Sequence, residues 1–399
     1  MKRRDLSVKD IKNVILVAFL IFTASMTGAF SGYFYAGQAK EEVSEARYSA
    51  EVEEFIDEYN RVVNEFYVEV DKDVLIKGAI KGMLEALGDD HSIFLDEEDN
   101  YQFQQRVKGY YQGIGVGLMD KEAGIVITAV FDNSPAKKAG IQINDVIIKL
   151  DDQDFTEKLT QDVVNYIRET EDKKVKVTVL RNEKEKSFDV DIETVTLPSV
   201  ESEVLEAEGM KIGYIKVSVF AGNTYAQFLT HLEETEAKTD GLIIDLRNNS
   251  GGYLSTTEEM ISLFFNKDKV IYQTEERGKV TKVYSRGNKD KKYPIVMLGN
   301  EASASASEIM IAAMQEAYGA PFVGMTTYGK GTVQELIDLD DNDAFKFTAR
   351  KWLTPDGNWI NDIGIEPDYE VNDSEDFYPD MEKEKDLQLK KAIEVFLEL

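Results

Sequence analysis

Cysteine is absent from the 399 residues, and histidine occurs only twice. The first absence removes disulfides, thiol catalysis and thiolate metal sites together, while leaving the compartment open. The second makes any histidine-based chemistry depend on His91 or His231. His91 lies in the polar stretch GDDHS and reads as a turn residue. His231 sits in an amphipathic helix beside Leu229 and Leu232 and reads as structural. No histidine–carboxylate cluster has metal-ligand spacing, so neither a metal nor another cofactor is expected. Positive charge is scarce as well. Against 75 Asp and Glu there are 46 Lys and Arg, a net charge of −29 that argues against nucleic acid or an anionic lipid surface as partner. No internal repeat is evident. What is present is the material of a folded protein: 43% apolar and 10% aromatic residues exclude disorder throughout, and the length suits two to three domains.

The first 40 residues are uneven in charge and hydropathy. Lys2, Arg3, Arg4, Lys9 and Lys12 precede a mostly apolar run from Val14 to about Ala36, and Phe30, Tyr33, Phe34 and Tyr35 cluster near its far end. Roughly 20 apolar residues are needed to span a bilayer, and aromatic side chains favour its interfaces. The positive-inside rule then predicts a cytoplasmic segment at 1–12, a transmembrane helix over 13–37 and everything beyond on the outer side of the cell membrane. A cleaved signal peptide is the rival, with small residues in Thr-Gly-Ala and Tyr-Ala-Gly. The run is longer than a usual signal-peptide core, which favours a retained anchor.

Residues 38–112 read as helical. Val52, Phe55, Ile56, Tyr59, Val62, Val63 and Phe66 recur at spacings of three and four, and a second helix near 74–87 stops at Gly88. These helices leave a homo-oligomer open. From Val200 onward strands alternate with helices, which predicts a mixed-sheet α/β or α+β core over 194–368. The polar segment 275–292 reads as a cap insertion. An acidic stretch and a final helix over 369–399 follow, with Leu387, Ile393 and Phe396 expected to dock on the body.

The chemistry concentrates between Asn300 and Gln334. Small residues alternate with serines through Glu308, and an apolar helical run begins at Ile309. Ser305 therefore falls at or beside a helix N-terminus, where unpaired N–H groups and the helix dipole favour developing negative charge. Lys330 lies between Gly329 and Gly331. A serine hydroxyl needs a base to become a good nucleophile, and a desolvated lysine can serve as one. A Ser–Lys pair for acyl transfer is the leading expectation. Taken alone, the Ser303–Ser305–Ser307 run would read as a close-packing device; Lys330 reverses that balance. The stretch Gly324–Lys330 also reads G-x-x-x-x-G-K, but Gly331 stands where a phosphate-binding loop needs Ser or Thr.

These stretches resemble the C-terminal processing proteases, the tail-specific serine peptidases of bacteria and chloroplasts. The likeness rests on SASASE at Ser303–Glu308 and GKGTVQ at Gly329–Gln334. GIGVGL at Gly113–Leu118, DLRNNSGG at Asp245–Gly252 and LTPDGNWINDIGIEPD at Leu353–Asp368 extend it, in the family's order. Ser250 departs from it, since relatives commonly have proline there. The resemblance implies Ser305 as nucleophile, Lys330 as base and Gln334 orienting the lysine. An oxyanion hole would come from the N–H of Gly251 or Gly252, joined by that of Ala306.

Residues 113–193 resemble a PDZ domain, a module that captures peptide C-termini, and SPAKKAGIQINDVI at Ser134–Ile147 is typical of such modules in bacterial proteases. Gly113, Ile114, Gly115, Val116 and Gly117 would offer backbone N–H groups and a sheet edge to a terminal carboxylate. Val163 and Ile167, four apart on a helix, would help line the side-chain pocket. The whole reads as a membrane-anchored endopeptidase acting outside the cytoplasm on proteins bound by their C-termini. The alternative is a catalytically silent PDZ adaptor at the membrane.

Overall fold

The computed structural model describes residues 48–339, 342–372 and 385–399. The segments 1–12 and 13–37, with the expected membrane helix, lie outside the described residues. No helix among the described residues is long and apolar enough to cross a membrane.

The chain divides into two compact units, Met1–Ile80 and Lys81–Leu399. The first contains the helix Ala50–Glu65, with Glu51 and Glu53 in its first turn, where the helix dipole favours acidic residues. Its apolar residues recur as the sequence predicts, yet none of its residues is buried. A second helix, Lys72–Ala86, crosses the boundary between the units.

Within the second unit, five antiparallel strands form the PDZ sheet. Their order is Val116–Lys121, Gly124–Val130, Val146–Leu150, Lys174–Arg181 and Lys184–Asp191, with Gln153–Asp154 attached to the third. Val175, Val177 and Val179 alternate into the core with the period of two that a half-buried strand requires. The helix Thr160–Glu169 closes over them. Of the Gly113–Gly117 run expected to offer a sheet edge, only Val116 and Gly117 belong to the edge strand. Residues Tyr110–Gly113 pair with Glu193–Thr196 as a separate two-stranded ribbon.

The larger domain of this unit is built on a six-stranded sheet. Val200–Ala207 and Met210–Val217 are antiparallel; Gly241–Asp245, Ile295–Gly299, Phe322–Gly324 and Tyr369–Glu370 then add in parallel. The two central strands are buried at every position, which explains their unbroken apolar runs. Helices Thr224–Glu236, Leu254–Ser262 and Ala306–Ala312 cover one face through Phe228, Met260 and Ile309. The C-terminal helix Leu387–Leu397 covers the other through Leu389, Ala392, Val395 and Phe396. Leu387, expected to dock, is exposed: it opens the helix on the face away from the buried residues Leu389, Ala392, Val395 and Phe396. A second sheet is antiparallel. It joins Ile93–Leu95 to Ala344–Leu353, which also pairs with Thr332–Asp338 and with the hairpin Val270–Glu276/Lys279–Tyr284. Much of the expected cap over 275–292 is thus a strand of this sheet.

Candidate active site

Three loops leave the carboxyl ends of three adjacent parallel strands, where open α/β sheets place their sites. The strand Gly241–Asp245 leads into the Asn248–Gly252 turn, Ile295–Gly299 into the serine run, and Phe322–Gly324 into Lys330. Ser305, Lys330, Gln334, Gly251, Gly252 and Ala306 all line one cavity of about 940 Å³. The structure therefore brings together every residue expected in the catalytic set.

Ser305 caps the helix Ala306–Ala312 with φ 56° and ψ −114°. Such a backbone costs a non-glycine residue about 1–3 kcal/mol and persists only when its surroundings impose it. Here they do. The Ser305 N–H donates to Glu308 Oε2 at 2.7 Å, and its carbonyl accepts the Ile309 N–H at 3.0 Å. Ser303 and Ser307 point elsewhere. Ser303 Oγ donates to the Leu246 carbonyl and Ser307 Oγ to that of Asn249, both from full burial. They tie the serine run to the neighbouring turn.

Glu308 is the residue that sequence reasoning left without a role. Fully buried, it accepts four donors: Thr327 Oγ1 (2.6 Å) and Gly329 N (2.7 Å) on Oε1, with Ser305 N and Lys330 N (2.9 Å) on Oε2. One carboxylate thus fixes both the serine and the lysine loop. Its signal was present, since Ser305-x-x-Glu308 has capping-box spacing. The lysine loop is held from the other side by the 353–368 motif, where Asn361 Oδ1 accepts Gly331 N and Asp362 N donates to Gly329 O. The Lys330 carbonyl accepts Trp352 Nε1 at 2.7 Å.

Burial lowers the pKa of Lys330, and the positive charge of Lys346 lowers it further, against the opposing pull of Asp89 and Glu308. Lys346 and His91 both line the cavity. Burial also pushes the His91 imidazole down, as does the charge of Lys330. His91 is therefore a cavity residue as well as part of a turn. His231 is structural as expected, its Nδ1 2.7 Å from Ser202 Oγ. No hydrogen bond joins Ser305 Oγ to Lys330 Nζ among the described residues. Gln334 does not bond to Lys330 either; its Nε2 donates to Thr332 Oγ1 at 2.9 Å and Thr348 Oγ1 at 3.1 Å.

The two glycines of the turn differ. Gly251, at φ 104°, sits so close that a Cβ there would lie 3.0 Å from Ser305 Cβ. Its N–H is already donated to Asn249 Oδ1 at 2.9 Å. The N–H groups of Gly252 and Ala306 have no protein acceptor among the described residues. Below the turn, Arg247 bonds Asp245 and also reaches Asp386, which caps the C-terminal helix. The turn is anchored through the sheet.

In the PDZ sheet Val116–Lys121 is an edge strand, paired on one side only. Asp120 accepts Thr160 N at 2.9 Å, closing one end of the space between that edge and the helix. Val163 and Ile167 lie in the hydrophobic cluster against which Val116 and Leu118 of that edge strand pack. They are 0% and 7% exposed in the PDZ core, because the helix turns its more apolar stripe inward. Burial raises the Tyr111 phenol to about 12, opposed by hydrogen bonds from the backbone of Gly115 and Val116.

Family models agree with this division of the chain. Peptidase family S41 matches residues 211–371, a PDZ domain matches 112–192, and the activating protease CtpB N-terminal domain matches 26–99. The carboxy-terminal processing protease CtpB of Bacillus subtilis (strain 168) is 36% identical over 341 residues, covering 84% of this chain and 70% of that protein. CtpA of the same organism is 36% identical over 312 residues, with 77% and 66% covered. A solved structure of an S41 protease from Bacteroides fragilis NCTC 9343 shares the fold, with a TM-score of 0.53 at 13% identity over 80% of this chain and 90% of that one. On sequence, this chain belongs to the PDZ-containing C-terminal processing proteases, the serine peptidases of family S41.

Proposed function

We propose that the chain hydrolyses peptide bonds with a Ser305–Lys330 dyad, in substrates that its PDZ domain holds by the C-terminus. The observation that carries this reading is the shared Glu308 carboxylate, which fixes a strained serine and a half-buried lysine at one cavity. Neutral Lys330 removes the Ser305 proton as Oγ attacks the scissile carbonyl, then returns it to the leaving amine. The Gly252 and Ala306 N–H groups receive the oxyanion; Gly251 N–H, held by Asn249, does not. One such donor is worth about 3–4 kcal/mol in the transition state. Gln334 Oε1 accepts from the lysine once Nζ swings to Ser305, since catalytic hydrogen bonds often tighten only with substrate present. The basic and apolar residues of the first 37 positions support a membrane anchor with the enzyme outside the cytoplasm.

Lysine as base makes a signed prediction. Acylation rises with pH through the Lys330 pKa, because only the neutral amine accepts a proton. Lys346→Met removes a positive neighbour that disfavours protonated Lys330, so the rising limb should move to higher pH. Single-turnover acylation measured from pH 6 to 10 checks this; a limb unmoved or moved to lower pH would count against Lys330 as the titrating group.

Recognition of tails is tested by a peptide with a free or an amidated C-terminus. Gly115 and Val116 N–H groups would exchange the Tyr111 hydroxyl for the terminal carboxylate, and amidation removes that charge. Cleavage of the amidated peptide below saturation should fall at least tenfold, about 1.4 kcal/mol. Equal rates would remove the PDZ domain as tail reader.

A further inference from the structure

We propose that Thr348 is a positioning residue for the catalytic lysine, acting through Gln334 and held in its role by Asp89 of the GDDHS turn. This rests on the Ser305–Lys330–Gln334 reading above. Gln334 and Thr348 face each other directly across the antiparallel strands Thr332–Asp338 and Ala344–Leu353. The Gln334 Nε2 donates to Thr348 Oγ1 at 3.1 Å and to Thr332 Oγ1 at 2.9 Å.

A primary amide has donors on one side and an acceptor on the other. With both donors engaged by threonine oxygens, Oε1 is the atom left for the lysine. A threonine hydroxyl can also donate, however, and would then accept the reversed amide equally well. Something must commit its proton. Asp89 is the anion placed to do so. Ser92 Oγ, which accepts the Thr348 N–H, ties its carboxylate to Thr348. Against the upward push of burial, the donor pull of the Thr348 side chain helps lower the Asp89 pKa; as an anion that carboxylate only accepts.

The same carboxylate receives Ser92 Oγ at 2.5 Å and His91 N–H at 3.2 Å, and Ser92 Oγ in turn accepts Thr348 N–H at 3.1 Å. Burial pushes the Asp89 carboxyl up, but the donors from Ser92, Thr348 and His91 outweigh it and hold the group below the usual carboxylate range. It stays ionised where the enzyme works. The polarity therefore runs one way, from Gln334 to Thr348 to Asp89. Reversing the amide would set Gln334 Oε1 against a hydroxyl oxygen whose proton points away. A turn about 240 residues upstream in sequence thus sets the orientation of the amide that meets the lysine.

The test uses the full chain and four variants assayed on one peptide: Thr348→Val, Thr348→Ser, Gln334→Ala and the Thr348→Val/Gln334→Ala double. Thr348→Val preserves shape and removes the hydroxyl, so kcat should fall roughly ten- to a hundredfold with KM unchanged. Thr348→Ser keeps the hydroxyl and should recover most of the rate. In the Gln334→Ala background the Thr348→Val loss should vanish, because its only route to the lysine is gone. A loss of equal size in both backgrounds, or a Thr348→Ser variant as poor as Thr348→Val, would overturn the proposal in favour of a packing role. A normal Thr348→Val enzyme beside an impaired Gln334→Ala enzyme overturns the relay alone. Full activity in Gln334→Ala overturns the assignment of Gln334 itself, and the relay with it.

Discussion

Ser305→Ala is expected to lower kcat by roughly 10⁴- to 10⁶-fold, Lys330→Ala to do nearly the same, and the double variant to lose little more. Groups that act as one unit fail together: without the hydroxyl there is nothing to deprotonate, and without the amine the hydroxyl stays a poor nucleophile. The structure separates this loss from unfolding. The Ser305 hydroxyl takes part in no hydrogen bond among the described residues, and the features that fix the residue are backbone contacts that alanine retains. Ser305→Ala should therefore melt close to the parent.

The neighbouring serines supply the contrast. Ser303 and Ser307 are fully buried and donate to carbonyls at 2.9 and 2.7 Å. Their alanine variants should lose about 1–3 kcal/mol of stability while keeping most of the activity. Cleavage of a loosely folded protein, read beside thermal melting, distinguishes the patterns. Multiplicative losses in the double variant, or an inactive but fully stable Ser303→Ala, would place the nucleophile elsewhere.

The meeting of Ser305 and Lys330 at one cavity was legible because both stand in short motifs with distinctive neighbours, and the alternation of small residues marked a helix start. Motif spacing says which residues meet; it is silent on what lies between them. Glu308 had only its capping-box spacing from Ser305 to mark it, and its partners Thr327, Gly329 and Lys330 lie 19 to 22 residues downstream. His91 read as a turn residue because the strand that carries it to the cavity, Ile93–Leu95, is three residues long and pairs with a strand some 250 positions away. Val163 and Ile167 illustrate a different limit. A spacing of four identifies one face of a helix without giving its burial, and here both residues belong to the PDZ core cluster that Val116 and Leu118 of the edge strand pack against. The order of strands in the parallel sheet was likewise beyond periodicity, although the alternation of strands and helices from Val200 onward was clear.

Glu308→Gln carries the second large expectation, because it changes one atom in volume-neutral fashion at the point where both catalytic loops are tied. The carboxylate offers two oxygens and each takes two donors, with no solvent to compensate. A carboxamide has one oxygen and one NH₂ group. With its nitrogen toward Ser305 and Lys330 two N–H donors face a donor; toward Thr327 and Gly329 only the Gly329 N–H must, because the Thr327 hydroxyl can rotate to accept. An unsatisfied buried group costs about 1–3 kcal/mol, so one or two should remove roughly 1–6 kcal/mol. Folded domains have about 5–15 kcal/mol in hand, so the variant should remain folded, with a lower urea midpoint. If the amide turns its nitrogen toward Thr327 and Gly329, the lysine loop loosens. If it turns the nitrogen toward Ser305 and Lys330, the serine loses the bond that holds it at φ 56° and relaxes toward ordinary backbone. Either displacement separates nucleophile from base, and a 1 Å misplacement costs about a hundredfold in rate. Labelling of Ser305 by a fluorophosphonate should slow by at least that factor, and Glu308→Asp, which keeps two acceptor oxygens on a shorter stem, should lie between the two. Parental labelling rates and an unchanged urea midpoint in Glu308→Gln would mean that the two loops hold their geometry without this carboxylate.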